Sequence, residues 1–265
     1  MKKMFTIACM LVIMICISGI TIYADEIFDE ENIENGIIGV KYESESRLKV
    51  MIKHDDGKYV YDLNGKNTEE YFPLQMGNGS YKIYLYENTT GTKYKKVSST
   101  VVEVSLDDEN DVFLNSVQVI NFKDNTKTVE KAVELTKDIE DLDKKIEALW
   151  EFMVNNNDYD YEKLATLKST YLPTPDNTLK DGEGICYDFS SLLASMLRSE
   201  GIPAKLIKGY APDYAVGYHA WNEIYDEKND KWVVVDSTYD IQTHDLRDYY
   251  DYDKDEKKFQ KVYEY

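Results

Sequence analysis

Apolar and polar residues alternate through the first half of this chain, then recur at helical spacing, and strand-like runs return further on. Leu48-Lys49-Val50-Met51-Ile52-Lys53 alternates, Asp55-Asp56-Gly57 supplies a turn, and Lys58-Tyr59-Val60-Tyr61 returns as the second arm of a hairpin. Gly77-Asn78-Gly79 opens a further run over 80–86, and Gly91 separates it from another over 94–105. Closely spaced short strands between turn signals predict a small β-sandwich or barrel over residues 37–122, with the acidic, polar residues 25–36 as a linker. Tyrosines on these strands read as packing. His54, beside a turn, reads as a solvated surface residue.

Around residues 121–128 the period changes. Residues 129–136 read as a helix, and Asp141 is placed to cap a second one reaching about Asn155. Ile146, Leu149, Trp150, Met153 and Val154 fall on one face of that helix, so Trp150 reads as core. After a loop with Pro173 and Pro175, residues 186–200 read as one buried helix with Phe189, Leu192, Leu193, Met196 and Leu197 as its stripe. Gly201 stops it. Strands are predicted over 204–210, 219–225 and 231–236. Residues 123–265 therefore form a second domain, and the fold class is α+β.

Composition sharpens this picture. Hydrophobic residues make up 43% of the 265, enough for a real core, and 23 tyrosines argue against wholesale disorder. The formal charge of −19 makes nucleic acid and anionic lipid poor partners. Met1-Lys2-Lys3, an apolar run to Tyr23 and the small Ala24 read as a secretory signal over residues 1–24, cleaved after Ala24. Left uncleaved, the run is long enough to anchor the chain in a bilayer. The expected location is outside the cell or on its surface, and no membrane association is expected once the signal is removed. Cys9 and Cys16 would leave with that segment. Cys186 then stands as a lone thiol in an exported protein, which marks it as reactive rather than as half of a disulfide.

Cys186 opens its helix directly after a glycine-rich turn, Gly182-Glu183-Gly184. There it meets the positive end of the helix dipole and unpaired backbone N–H groups, both of which favour a thiolate. Downstream lie His219 and, 17 residues later, Asp236. With residues 226–229 as a four-residue hairpin loop, Tyr225 pairs with Asp230 and His219 falls directly opposite Asp236. His219 can then take the Cys186 proton through one ring nitrogen while Asp236 fixes the other. Singly, each residue has a blander reading: a small hydrophobe, a structural histidine, a strand-end cap. Their joint placement favours nucleophilic catalysis. No second cysteine or histidine stands at metal-ligand spacing, and the acid runs at 107–111 and 251–255 lack a calcium-loop pattern and read as solvated. His244, in an acidic and tyrosine-rich tail, reads as solvated too.

Gly184-Ile185-Cys186-Tyr187-Asp188-Phe189-Ser190-Ser191-Leu192, Met196-Leu197-Arg198-Ser199-Glu200-Gly201-Ile202-Pro203-Ala204, Gly209-Tyr210, His219-Ala220-Trp221 and Val235-Asp236-Ser237-Thr238 resemble the core of the transglutaminase-like superfamily. The resemblance runs from about Lys144 to Gln242. It implies a papain-like α+β core, preceded here by the small all-β domain. Cys186 would be the nucleophile, His219 the general base and acid, and Asp236 its orienter. Family transglutaminases hold the oxyanion with an upstream tryptophan indole. No tryptophan lies between Trp150 and Cys186, which leaves Tyr161 or Tyr171, with the Cys186 N–H, as candidate donors. Calcium-binding insertions are not evident, and no cofactor is implied. The expected activity is thiol acyl transfer from a glutamine-like carboxamide of a protein or peptide, such as a cell-wall or surface protein, to an amine or water. Alternatives are peptide or amide hydrolysis by the same triad, and a surface-binding module with a vestigial one.

Overall fold

The computed structural model describes residues 27–211, 217–244 and 252–265. The signal segment at 1–24 lies outside the described residues. Among the described residues no helix is long and apolar enough to cross a membrane.

The first lobe comprises β1 (Phe28–Asp29), β2 (Ile37–Val40), β3 (Leu48–His54), β4 (Gly57–Leu63), β5 (Glu70–Pro73), β6 (Gly79–Thr90) and β7 (Lys93–Val104). They form two antiparallel sheets, ordered β1-β2-β5 and β4-β3-β6-β7. Inward residues of both sheets, among them Ile38, Val40, Phe72, Val50, Ile52, Tyr81 and Ile83, share one core. The alternation in β3 has this cause: Leu48, Val50 and Ile52 are buried while Lys49, Met51 and Lys53 are not.

Two expectations fail in this lobe. Residues 28–29 are not linker: β1 pairs Phe28 with Val40, and Phe28 is buried in the core. Its ring supplies apolar area that the acidic neighbours mask in a composition reading. His54 is not solvated either. Its side chain is only 11% exposed, stacks on Tyr81 with ring centroids 4.5 Å apart, and places Nδ1 3.2 Å from the Ser80 carbonyl.

The second lobe begins with α1 (Thr126–Thr136) and α2 (Leu142–Asn155), then β8 (Asp158–Tyr159), α3 (Tyr161–Thr166), α4 (Pro175–Asp181) and β9 (Glu183–Gly184). It continues through α5 (Cys186–Ser199), β10 (Ala204–Tyr210), β11 (Tyr218–Asp226), β12 (Lys231–Val235), α6 (Ser237–Thr243), β13 (Asp253–Lys254) and β14 (Gln260–Glu264). Asp141 caps α2, its Oδ1 accepting the Lys144 N–H at 3.1 Å. The five apolar residues predicted on one face of α2 are all buried, and the Trp150 indole donates to Asp240 Oδ2 at 3.0 Å.

Helix α5 is the spine of this lobe. Phe189, Leu192, Leu193, Met196 and Leu197 are all wholly buried against α1, α2 and the sheet. Each such side chain stabilises the fold by about 1.5–3 kcal/mol. Gly201, at φ 75, ends the helix in the left-handed region that glycine enters at least cost.

The sheet beneath α5 is ordered β13-β12-β11-β10-β14. Its outer strands come from the C-terminal residues: β13 pairs with β12, and β14 pairs with β10. Asp253 and Asp255 of the acid run are exposed, as the charge pattern predicts, while Lys254 between them is half-buried and meets Asp240 at 2.9 Å. His244 is half-buried, with Nδ1 2.8 Å from the Ile241 carbonyl.

Candidate active site

Cys186 is the first residue of α5, half-buried and unpaired. The chain reaches it through a tight approach. A Cβ on Gly184 would lie 2.9 Å from Asp188 Cβ and 3.1 Å from Phe189 Cε1, so only glycine lets this backbone pass the first turn. Asp188, wholly buried, then clamps that turn. Its Oδ2 accepts the Ile185 N–H at 3.0 Å and meets Lys163 Nζ at 2.6 Å, while Oδ1 accepts the Tyr171 hydroxyl. This carboxylate fixes the direction in which Cys186 leaves the helix start.

His219 is 5% exposed and Asp236 not at all. His219 Nε2 stands 2.9 Å from Asp236 Oδ2. A carboxylate only accepts, so Nε2–H donates and Nδ1 is left free, with Cys186 close enough to act on the ring. Burial by itself lowers the imidazole pKa. The hydrogen bonds and charges of Asp236 and Cys186 outweigh it and push the pKa up to about 10. The other carboxylate oxygen, Asp236 Oδ1, accepts the Tyr239 N–H at 3.1 Å and caps α6. Cap and orienter are thus one residue.

The three residues named from sequence meet, although the predicted register does not hold. Asp226 pairs with Lys231 and Asn222 with Val235, which leaves residues 227–230 as the four-residue loop. The loop has moved by one position. Asp226 stays in the ladder while its Oδ1 accepts the N–H groups of Lys228 and Asn229 at 3.1 and 3.2 Å, and Asp230 takes φ 49 to turn the chain. Extended beyond its last pair, this register sets Asp236 level with Trp221, so His219 reaches it diagonally. The slip is two residues, an even number, so both side chains keep the same face.

Residues 129–237 match the core of the transglutaminase-like superfamily. This stretch is a transglutaminase-like superfamily domain. It contains Cys186, His219 and Asp236. The chain is 27% identical over 187 residues to the uncharacterized protein YebA of Bacillus subtilis strain 168, covering 66% of this chain and 24% of that one. It therefore spans about a quarter of the length of that curated relative. Similar solved structures include a putative cysteine protease from Cytophaga hutchinsonii, 18% identical with a TM-score of 0.47, covering 84% of this chain and 73% of that one. The periplasmic domain of TgpA from Pseudomonas aeruginosa is 17% identical with a TM-score of 0.40, covering 79% and 73%. Red sea bream transglutaminase is 15% identical with a TM-score of 0.32, covering 76% and 48%.

Of the two tyrosines named from sequence, Tyr171 is committed elsewhere and Tyr161 keeps its own O–H. The Tyr171 hydroxyl donates to Asp188. Tyr161 is 67% exposed, and its hydroxyl accepts from Gln242 Nε2 at 3.1 Å. The structure also brings Tyr159 to the site. β8 runs parallel to β9 with Tyr159 level with Gly184, and the Asp160 N–H donates to the Gly184 carbonyl at 2.8 Å. Burial, and then the nearby Cys186, raise the Tyr159 phenol well above its ordinary pKa. A two-residue parallel pairing across a long loop leaves no local pattern, so sequence reading misses it. Among the described residues, no three His, Cys, Asp or Glu side chains converge to hold a metal ion.

Proposed function

We propose that the protein is an exported thiol acyl-transfer enzyme acting on a carboxamide, such as a glutamine side chain of a protein or peptide. The observation that carries this reading is a buried imidazole held by Asp236 through Nε2, with the half-buried thiol of Cys186 close enough to raise its pKa. At neutral pH His219 already holds the proton of the thiol–imidazole pair, and sulfur attacks the carbonyl carbon as thiolate. The oxyanion is received by the Cys186 N–H, a first-turn donor with no helical partner, and by the Tyr159 hydroxyl. His219 then protonates the departing nitrogen, and a thioester remains. An incoming amine or water, deprotonated by His219, attacks the thioester, and sulfur leaves as thiolate beside the reprotonated ring. An amine acceptor yields an isopeptide cross-link, and water yields hydrolysis.

The test is incubation with a labelled primary amine and a glutamine-rich acceptor protein. The expected result is amine incorporation that Cys186→Ala abolishes. Ammonia or peptide release without incorporation assigns water as the acceptor. If the folded natural protein produces neither, the enzymatic reading fails in favour of a binding module.

A further inference from the structure

Among the described residues, buried and half-buried lysines of this lobe face carboxylates. Lys163 meets Asp188 at 2.6 Å, Lys205 meets Glu264 at 3.2 Å, and Lys254 meets Asp240 at 2.9 Å. Lys208 is different. It is half-buried on β10, one pair inward from the Gly209–His219 pair, and no ion pair or hydrogen bond of its ammonium occurs among the described residues. Its Nζ lies 3.5 Å from the centroid of the Tyr187 ring, the residue next to Cys186, and 5.3 Å from that of Tyr265. Two aromatic faces stabilise a desolvated cation, but they supply no acceptor. Burial lowers its pKa to about 8, and Cys186 acts in the opposite direction. Carboxylates are not scarce in a chain with 50 acidic residues against 31 basic ones. Among the described residues, no carboxylate meets this cation beside the thiol.

Tyrosines surround Lys208. Lys208 pairs with Ala220 on one side and Tyr263 on the other. Just outward, Tyr210 and Tyr218 form an edge-on pair with centroids 5.5 Å apart. Tyr210, Tyr218 and Tyr263 are 46%, 51% and 41% exposed. The wall is aromatic, uncharged and open to solvent, and Lys208 is the cation set into it.

We infer that Lys208 is the anchor for a carboxylate carried by the acyl donor close to its reacting carbonyl. This rests on the acyl-transfer reading above and narrows it to acidic donors. The carboxylate would replace the water lost by the ammonium and hold the donor carbonyl toward Cys186. It could be the α-carboxylate of the donor residue or the side chain of a neighbouring Asp or Glu.

The test does not need turnover. Iodoacetate and iodoacetamide alkylate a thiol by the same displacement, in which an S–C bond forms and iodide leaves. They differ in that the first carries a carboxylate. Their rates are followed on the tryptic peptide of the full chain that carries Cys186, with glutathione as the free-thiol reference. In the natural protein the iodoacetate-to-iodoacetamide ratio is expected to exceed that of glutathione about tenfold, the effect of one nearby, partly desolvated cation. It falls at least about fivefold in Lys208→Met and stays high in Lys208→Arg. Lys208→Gln replaces the Met variant if near-ultraviolet circular dichroism shows that variant unfolded. An unchanged ratio in the neutral variant overturns the inference. Donor peptides with the α-carboxylate free or amidated, and with Asp or Asn beside the glutamine, then separate the two sources. If alkylation shows the preference while no donor turns over, the acyl-transfer reading fails and the carboxylate subsite stands.

Discussion

Asp236 shows how much one side chain carries here. One oxygen orients His219 and the other caps α6, so the strand-end cap and the catalytic orienter are not competing readings. The consequence for His219 is measurable. Its folded-state pKa of about 10 lies above the ordinary 6.5. The protonated ring therefore contributes stability that is fully present below about pH 6.5 and is lost as pH rises through about 10. Nuclear magnetic resonance of labelled imidazole should show His219 protonated at neutral pH and titrating near 10. In Asp236→Asn the carboxylate charge is gone, and the midpoint should move down toward the ordinary value. Acyl transfer should fall at least about 100-fold in the same variant, as loss of an oriented general base predicts. An unshifted midpoint would detach Asp236 from the imidazole.

At the scale of elements, the helix start and the hairpin place the chemistry, and both depend on close backbone approaches. Gly209 is level with His219. A Cβ there would lie 2.1 Å from the Gln260 carbonyl oxygen and 2.8 Å from Trp221 Cη2. Gly209→Ala must displace either β14 or Trp221. Destabilisation of about 1–3 kcal/mol, the usual cost of overpacking, is expected in chemical denaturation. A disproportionate loss of amine incorporation should accompany it, because the Trp221 ring stacks near the His219 imidazole, with centroids 6.3 Å apart. Unaltered activity would show that the β10–β11 register tolerates movement at His219. Strong periodicity made α2, α5, β10, β11 and β12 legible, since each buries one face against the same core. The hairpin register was not legible to the residue. Asp226 both pairs and turns, a double use that loop length does not reveal. Tyr159 escaped notice for a related reason: its position comes from a two-residue pairing with Gly184 across the intervening loop.

Across the whole molecule, the C-terminal strand joins the lobes. Tyr265 packs against both cores. Its backbone pairs with Leu206, and its carbonyl accepts from the buried Arg198 at 2.8 Å. Gln75, in the first lobe, donates to the Glu264 carbonyl at 2.9 Å. Charge-rich composition conceals this, because the residues that anchor the tail are tyrosines and backbone groups. The same strand borders Lys208, so the subsite beside the thiol is finished by the last residues of the sheet. The central claim is that Cys186 becomes an acyl-enzyme with help from His219, and acid quenching tests it most directly. Protein mixed with carboxamide peptides, with and without a neighbouring carboxylate, is stopped within the first turnovers and digested. Mass spectrometry should find a hydroxylamine-labile acyl adduct on the peptide carrying Cys186, absent in Cys186→Ala and strongly reduced in His219→Gln. A folded protein whose Cys186 alkylates with iodoacetamide, yet never carries an acyl adduct or releases ammonia, would contradict the account.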